Sequence, residues 1–311
     1  MNRRVWLIGY AQAAIGAALF STKAIFIKLA YQEQADAALM LALRMAFSLP
    51  FFLAAGAYML WRKRAGGEKL PSGTVWLGAI GSGFVGYYLS SILDLAGLTY
   101  ITAQLERLVL FTYPVLVMLL DAAFFGGKIT KRGIAAGVVS YLGLAVVLRE
   151  GFASGNPHVG IGTGLVFACA ITFALYQLLA KKYISLFGAS LFTAIALSSS
   201  SVASLIHFVV VKGHMDLSAS PRFVFLAACT AIFATVLPSF FINWGMARIG
   251  PQSTSMVSSA SPLLTIYMAV VLLNEPFTLV DAFGAALIIG GVGWYGLGDL
   301  KAKQAAAKAA Q

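Results

Sequence analysis

Charged side chains are scarce in this sequence. Only 11% of its 311 residues are Asp, Glu, Lys or Arg, whereas 60% are hydrophobic. A soluble globular protein has about 25% charged and about 45–50% apolar residues, so an ordinary soluble domain, a disordered chain and a coiled coil are excluded. Lipid must replace water as the solvent for most side chains. The composition therefore predicts an all-α polytopic membrane protein.

Cysteine and histidine are also scarce. The two cysteines, Cys169 and Cys229, lie within apolar runs, and the three histidines lack metal-ligand spacing. A disulfide framework and a recognisable metal motif are therefore excluded. No glycine cluster has the strand-to-helix context of a phosphate-binding loop, and no catalytic cluster of Asp, His or Glu is evident. We expect no cofactor, no metal and no enzymatic activity.

Long apolar runs are abundant, and about 20 residues suffice to cross a hydrocarbon core of about 30 Å. We count ten such runs, named spans 1 to 10 in chain order. Their limits are 5–27, 37–61, 74–94, 99–122, 133–148, 160–180, 189–211, 222–244, 252–273 and 279–298. Span 5 is short, and we expect its ends to extend beyond these limits.

Basic residues outnumber acidic ones by 22 to 11. If the N-terminus is cytoplasmic, fifteen basic residues fall in cytoplasmic segments and three in outside loops. Cytoplasmic loops carry such an excess in membrane proteins. We therefore predict that both termini are cytoplasmic and that the chain lies in a bacterial inner (plasma) membrane. The positive charge is expected to face membrane lipid rather than nucleic acid.

The chain also repeats itself at a spacing of 148 residues. The matched pairs are Gly97 and Gly245, Pro114 and Pro262, Thr130 and Thr278, and Gly143 and Gly291. Each half, 1–150 and 151–311, contains five spans, and two copies of an odd-spanning unit must insert in opposite orientations. The sequence thus predicts two inverted five-helix repeats, an architecture that places substrate near the midplane between the halves.

Five short segments combine proline, charged and hydroxyl residues in a recurring way. They are Ala18–Lys23, Leu105–Pro114, Phe125–Thr130, Ser261–Pro262 and Leu273–Thr278. Together they resemble the ten-helix EamA-type branch of the drug/metabolite transporter superfamily. Leu273–Thr278 resembles the family's Pro…Glu-x-x-(Thr/Ser) signature, whereas the first half has Gly127 where an acidic residue is usual.

That resemblance implies a secondary transporter that exports small metabolites by alternating access. Exporters of neutral and aromatic amino acids are prominent members, so a small-molecule substrate of this kind is the leading hypothesis. The alternative is a carrier or flippase for a lipid precursor or a nucleotide sugar. We expect a monomer or a weak homodimer.

Five charged residues lie below the predicted outer ends of spans 1 to 4. They are Lys23, Arg44, Asp94, Glu106 and Arg107. A charge at bilayer depth costs about 2.5–3.5 kcal/mol on insertion scales and needs a partner or water. At 1.5 Å per residue, most of them fall roughly 10 Å below the boundary and can form one layer. The layer is either a set of ion pairs that locks spans together or a site for a zwitterionic substrate. Glu106 is the better candidate for contact with substrate or a proton, because adjacent Arg107 points in another direction.

Aromatic, amide and hydroxyl side chains supply further candidates for substrate binding. They are Tyr88, Ser91, Tyr176, Gln177, Asn243, Trp244 and Ser259. Tyr88 and Ser91 are one turn apart and can share a helix face, and an apolar cavity with a few polar groups suits a small, mostly apolar substrate. Small polar residues also let membrane helices approach closely, so a packing role stays open for each serine.

Pro114 and Pro262 are related by the repeat. Proline removes a backbone hydrogen bond and kinks a helix, so spans 4 and 9 are predicted to bend at equivalent places. Both a hinge role in alternating access and a purely structural kink are compatible with this pattern.

Overall fold

The computed structural model describes residues 3–127, 129–153, 155–258 and 261–309, which form helices and no β-strand. The helices are α1 (Arg3–Ser21), α2 (Lys23–Tyr31), α3 (Ala37–Ala65), α4 (Gly73–Gly83), α5 (Ser90–Leu98), α6 (Ala103–Leu110), α7 (Tyr113–Phe124), α8 (Lys131–Ala153), α9 (Val159–Phe187), α10 (Ala189–Lys212), α11 (Pro221–Ala231), α12 (Leu237–Ser258), α13 (Ser261–Leu273) and α14 (Leu279–Ala309). Two π-helical segments, Phe84–Leu89 and Ile232–Val236, join α4 to α5 and α11 to α12.

Eight stretches of the described residues are long and apolar enough to cross a membrane. They are Leu7–Tyr31, Ala37–Ala65, Gly73–Leu98, Ala103–Phe124, Lys131–Ala153, Val159–Phe187, Ala189–Lys212 and Pro221–Gly245. Two further apolar helices, Ser261–Leu273 and Leu279–Trp294, are shorter. The structure thus places a helix in every predicted span but gives eight of them full membrane length.

Span 9 differs most from its predicted limits. The sequence suggested a connection around Gly250–Pro251, yet α12 runs without interruption from Leu237 to Ser258 and takes the first residues of this span. Proline disrupts the helical turn that precedes it but does not always end the helix. Span 5 is longer than its predicted limits, as expected, because α8 covers Lys131–Ala153.

Two spans of the first half are broken in their middle. Span 1 breaks at Thr22, between α1 and α2, and span 4 breaks at Phe111–Thr112, between α6 and α7. Pro114 lies in the first turn of α7, where the missing N–H leaves no hydrogen bond unmade. Span 4 is therefore interrupted just before Pro114. Pro262, the repeat-related proline, also lies in the first turn of its helix, α13. Broken helices free backbone groups that can bind side chains or ligands.

Element starts recur at the same spacing as the sequence repeat. Elements whose first residues lie 148 positions apart are α4 and α11 (Gly73, Pro221), the two π-helical segments (Phe84, Ile232), α7 and α13 (Tyr113, Ser261), and α8 and α14 (Lys131, Leu279). The two halves therefore contain the same order of elements over these regions.

The halves pack through helix pairs that take one member from each half. α1 lies along α12, α3 along α10, and α8 along α14. A Cβ atom on Gly16 would lie 2.7 Å from the Ile242 side chain, and one on Gly143 would lie 2.7 Å from the backbone oxygen of Gly284. Glycine is required at both positions because the helices approach too closely for a side chain.

Ion pairs join the two halves at one end of the bundle. Lys212 lies 2.5 Å from Asp36, and Arg222 lies 2.9 Å from Glu33. The end of α5 also lies there, because the Tyr31 hydroxyl at the end of α2 donates to the Leu95 carbonyl oxygen, and α6 begins a few residues after α5. We call this end of the bundle the acidic end, and the opposite one, with Arg62–Arg64 and Lys131–Arg132, the basic end.

Candidate functional site

Lys23, Asp94 and Glu106 form a buried ion-paired group. The Nζ atom of Lys23 lies 2.6 Å from Asp94 Oδ2 and 3.5 Å from Glu106 Oε1. The side chains of the three residues are 8%, 3% and 0% exposed. One ammonium group is therefore shared by two carboxylates that are removed from solvent. Together with buried Arg44 and Arg107, this group forms what we call the charge cluster.

Interruptions of the helices position two members of the charge cluster. Lys23 is the first residue of α2, directly after the break at Thr22. Glu106 lies in the first turn of α6, where the Thr102 side chain caps the helix by accepting a hydrogen bond from the Leu105 N–H. The positive end of a helix dipole favours a carboxylate at that place. The local backbone thus stabilises an acidic residue at Glu106.

Several polar atoms of the charge cluster lack a hydrogen-bond partner among the described residues. They are Asp94 Oδ1, both carboxyl oxygens of Glu106 and Arg44 Nε. A buried unsatisfied polar group costs about 1–3 kcal/mol. The cluster can therefore accept a proton or a donor such as a substrate ammonium group.

Arg107 points away from Glu106 and connects the two halves. Its Nε donates to Thr265 Oγ1 at 3.1 Å, and its Nη2 donates to the Phe20 carbonyl oxygen at 3.1 Å. The Thr265 hydroxyl in turn donates to the Ser21 carbonyl oxygen at 3.0 Å. These carbonyl groups are free because α1 ends at Ser21. The broken helix of one half thus binds side chains from both halves.

Tyr88 lies in a different place from the charge cluster. It lines an open, mostly apolar groove of about 950 Å³ between α3, α10 and the first π-helical segment. Its hydroxyl lies 2.7 Å from His207 Nδ1. Ser91, half-buried, follows on α5. The Tyr88–His207 pair, together with Ser198 and Ser199, supplies the polar groups of an otherwise apolar groove.

Tyr176 is buried within an aromatic cluster. Its ring lies 5.0 Å from that of Tyr87, 5.9 Å from that of Phe173 and 6.1 Å from that of Phe192. Its hydroxyl donates to the Tyr87 hydroxyl at 3.4 Å. The adjacent Gln177 is exposed, so the two neighbours do not share an environment.

Asn243 connects two helices of the second half. Its Nδ2 atom donates to Thr193 Oγ1 at 2.7 Å, which joins α12 to α10. The neighbouring Trp244 is 44% exposed and packs against Phe241. Ser259 lies outside the described residues. The predicted substrate residues are therefore distributed over several places, and the charge cluster is the place where predicted residues contact one another.

Three residues form contacts at these places although the sequence analysis did not predict them as site residues. Thr265 lies one turn after Ser261 on α13, a spacing that could have suggested a shared face. His207 carries no such signal. Glu275 was noticed as part of a motif, and in the structure its carboxylate accepts hydrogen bonds from the backbone N–H groups of Ala103 and Gln104.

Comparisons with known proteins agree with this membrane architecture. The sequence pattern of the EamA-like transporter family matches residues 7–149 and again residues 160–296. The uncharacterised transporter YcbK of Bacillus subtilis (strain 168) is 27% identical over 274 residues, which cover 87% of this chain and 86% of that protein. YetK, another uncharacterised transporter of that organism, is 27% identical over 223 residues. These residues cover 67% of this chain and 64% of the YetK chain.

A solved crystal structure shares the fold. The superposition covers 96% of this chain and 98% of the chain in that crystal structure, with a TM-score of 0.61 and 19% sequence identity. The family pattern, matched twice along most of the sequence, confirms the resemblance inferred from the motifs. The chain is a multi-pass membrane transporter that belongs to the EamA-like transporter family.

Proposed function

We propose that this transporter is a secondary carrier of ten membrane-spanning helices, arranged as two inverted five-helix repeats. The repeats are residues 1–150 and 151–311, and a cavity between them opens to each side of the membrane in turn. The recurrence of element starts at 148 residues and the double match of the family pattern support this arrangement. An odd number of crossings in each half accounts for the inversion.

The proposed orientation follows from the distribution of basic residues. The basic end, with both termini, faces the cytoplasm of a bacterial inner membrane, and the acidic end faces outward. Fifteen basic residues against three support this assignment, since positive loops are retained inside.

The substrate that we propose is a neutral or aromatic amino acid, moved outward. The observation that carries this proposal is the buried charge cluster, which offers unpaired atoms of both kinds. Among the described residues, Arg44 Nε is a donor without a hydrogen-bond partner, and Asp94 Oδ1 and the Glu106 carboxyl oxygens are acceptors without one. A zwitterion would satisfy both with its carboxylate and its ammonium group. We expect the cluster to bind the charged part of the substrate while aromatic side chains contact its apolar part.

Uptake into proteoliposomes tests this function. Purified protein is reconstituted, and labelled amino acids are competed against one another with and without a pH gradient. We expect saturable uptake of at least one neutral or aromatic amino acid, inhibited by unlabelled members of the same class. Failure of every amino acid in the panel would contradict the proposed substrate class.

One observation favours a second candidate, a carrier or flippase for a lipid precursor. The groove that contains Tyr88 and His207 is lined by apolar side chains such as Leu53 and Val202, which are exposed. An acyl or prenyl chain fits such a surface better than an amino acid does. Activity on a lipid-linked substrate in the same proteoliposomes, without amino acid uptake, would favour this candidate.

The repeat-related prolines provide a prediction about the conformational change. If the helix starts at Pro114 and Pro262 are hinges, Pro114→Ala and Pro262→Ala each allow a more continuous helix, and we expect each to lower the transport rate by roughly tenfold. Pro50→Ala, within the uninterrupted α3, serves as the control and should retain the rate. Unchanged rates in both hinge variants would leave these prolines with a structural role only.

A further inference from the structure

A helix cap ties the two halves together at the acidic end. Glu275 lies between α13 and α14 and accepts hydrogen bonds from the Ala103 N–H at 2.8 Å and the Gln104 N–H at 3.1 Å. The Gln104 side chain donates in return to the Pro276 carbonyl oxygen at 3.1 Å. These N–H groups are free donors at the start of α6, and the helix dipole there also favours a carboxylate.

The same short helix carries two members of the charge cluster. α6 is eight residues long and contains Glu106 and Arg107. The second half holds it at two points, through Glu275 at its first turn and through the Arg107–Thr265 bond one turn later. Asn274 adopts the left-handed conformation, with φ of 53°, a conformation that Asn tolerates better than most residues. This turn directs the following Glu275 back toward α6.

The repeat has no counterpart of this cap at the basic end. A shift of 148 residues relates Glu275 to Gly127 and Ala103 to Pro251. Glycine has no carboxylate, and proline has no N–H to donate. A Cβ atom on Gly127 would lie 2.3 Å from Asp121 Oδ2, so a larger residue there would require the Asp121 side chain to move. Moreover, α12 passes through Pro251 without a new helix start, so the donors of a helix N-terminus are not free.

Other polar contacts between the halves differ in strength or position. At the acidic end, the Lys212–Asp36 and Arg222–Glu33 pairs are partly exposed, and such pairs contribute little. At the basic end, Arg248 donates to Gln12 Oε1 at 2.9 Å, but this bond joins α1 to α12, which pack along their length.

We propose that Glu275 is a positioning residue that holds the acidic end closed, so that the resting carrier opens toward the basic end. This inference rests on the alternating-access function proposed above. Opening the acidic end separates α6 from the α13–α14 connection and breaks both Glu275 bonds, whereas opening the basic end breaks no equivalent cap among the residues that the structure describes. In the proposed orientation, the resting carrier binds its substrate from the cytoplasm, as export requires.

Thiol accessibility tests this asymmetry without any substrate. The native Cys169 and Cys229 are replaced by alanine, and Ser21→Cys introduces a probe at the break of span 1, where Ser21 is buried against Ser261. A membrane-impermeant, negatively charged methanethiosulfonate reagent is applied to right-side-out and to inside-out vesicles. Glu275→Ala is expected to raise the labelling rate from the outside by about 3- to 30-fold, the population shift that corresponds to loss of a helix cap.

The control is Asp281→Asn in the first turn of α14, six residues after Glu275. Asp281 accepts hydrogen bonds from the Thr278 backbone and hydroxyl, so it caps α14 locally and does not join the halves. Its variant should label like the parent chain. Glu275→Gln keeps the size of the side chain but not its charge, and it should give a smaller rise. If Glu275→Ala does not reach the membrane, the labelling experiment is done with Glu275→Gln instead.

The possible outcomes distinguish failure of the positioning role of Glu275 from failure of the proposed alternating-access mechanism. If the parent chain labels from the inside and neither Glu275 variant labels faster from the outside, the positioning role is wrong and alternating access stands. If the parent chain labels from neither side and the variants do not change this, both the positioning role and the proposed carrier are contradicted. Equal increases for Glu275→Ala and Asp281→Asn would also overturn the inference, because they would reflect a general loosening of the connection.

Discussion

Replacement of Lys23 by methionine is expected to destabilise the folded protein by about 3–5 kcal/mol, the cost of leaving a buried charge without its partner. Lys23 is the ammonium group shared by Asp94 and Glu106, at 2.6 and 3.5 Å. Methionine has a similar volume but no charge, so two buried carboxylates would face each other uncompensated. Thermal unfolding in detergent, or resistance to proteolysis in membranes, measures the loss.

Two further variants identify the cause of that loss. Lys212→Met removes a 2.5 Å ion pair with Asp36 at the partly exposed acidic end and should cost less than about 1 kcal/mol. The double variant Lys23→Met with Asp94→Asn removes one buried negative charge together with the positive one and should recover much of the stability. If Lys23→Met and Lys212→Met lowered the free energy of unfolding equally, burial would not make the Lys23 ion pairs more stabilising than the partly exposed Lys212–Asp36 pair.

Glu106→Gln is expected to leave the protein inserted and folded but to lower transport by roughly 10- to 100-fold, the range for a hydrogen bond to a charged group. Both carboxyl oxygens of Glu106 are buried and without a hydrogen-bond partner among the described residues, although Oε1 lies 3.5 Å from Lys23 Nζ. Glutamine is nearly isosteric, but it presents one acceptor oxygen and carries no charge. A substrate ammonium group would therefore lose its ion pair.

The same variant separates a proton-coupled mechanism from simple binding. Glutamine resembles the protonated carboxyl group, so if Glu106 carries the coupling proton, the pH dependence of transport should be lost in Glu106→Gln. Initial rates in proteoliposomes across a range of pH values measure this. Glu33→Gln, which alters an exposed partner of Arg222 at the acidic end, is the matched control. Wild-type transport by Glu106→Gln at all pH values would exclude Glu106 from the mechanism.

The membrane architecture was largely predictable from the sequence. Each crossing needs a fixed length of apolar chain, so the spans could be located by counting residues. Boundaries were less predictable, because the local rules compete. The predicted limits ended span 8 at residue 244, whereas α12 continues to Ser258. Pro114 suggested a kink, and the structure has a two-residue turn at Phe111–Thr112, just before this proline.

The partners of the buried charges were less predictable. Residue counts placed four of the five charges at similar depths, but depth does not define the rotation of each helix. In the structure, Lys23 forms ion pairs with both Asp94 and Glu106. Arg107 instead donates hydrogen bonds to Thr265 and to the Phe20 carbonyl oxygen at the end of α1. This choice depends on the break at Thr22, which no residue pattern in the sequence marked.

By itself, the sequence determined that this protein is a helical membrane protein with charges buried in its first half, because crossing length and hydropathy are local properties of the chain, and its motifs indicated the transporter family. Only the tertiary structure decided which charges pair, that Tyr88 faces His207 in a groove apart from them, and that Glu275 caps α6 across the two halves. Those contacts join residues more than 70 positions apart, and they depend on helix rotation and helix breaks that arise when the two halves pack.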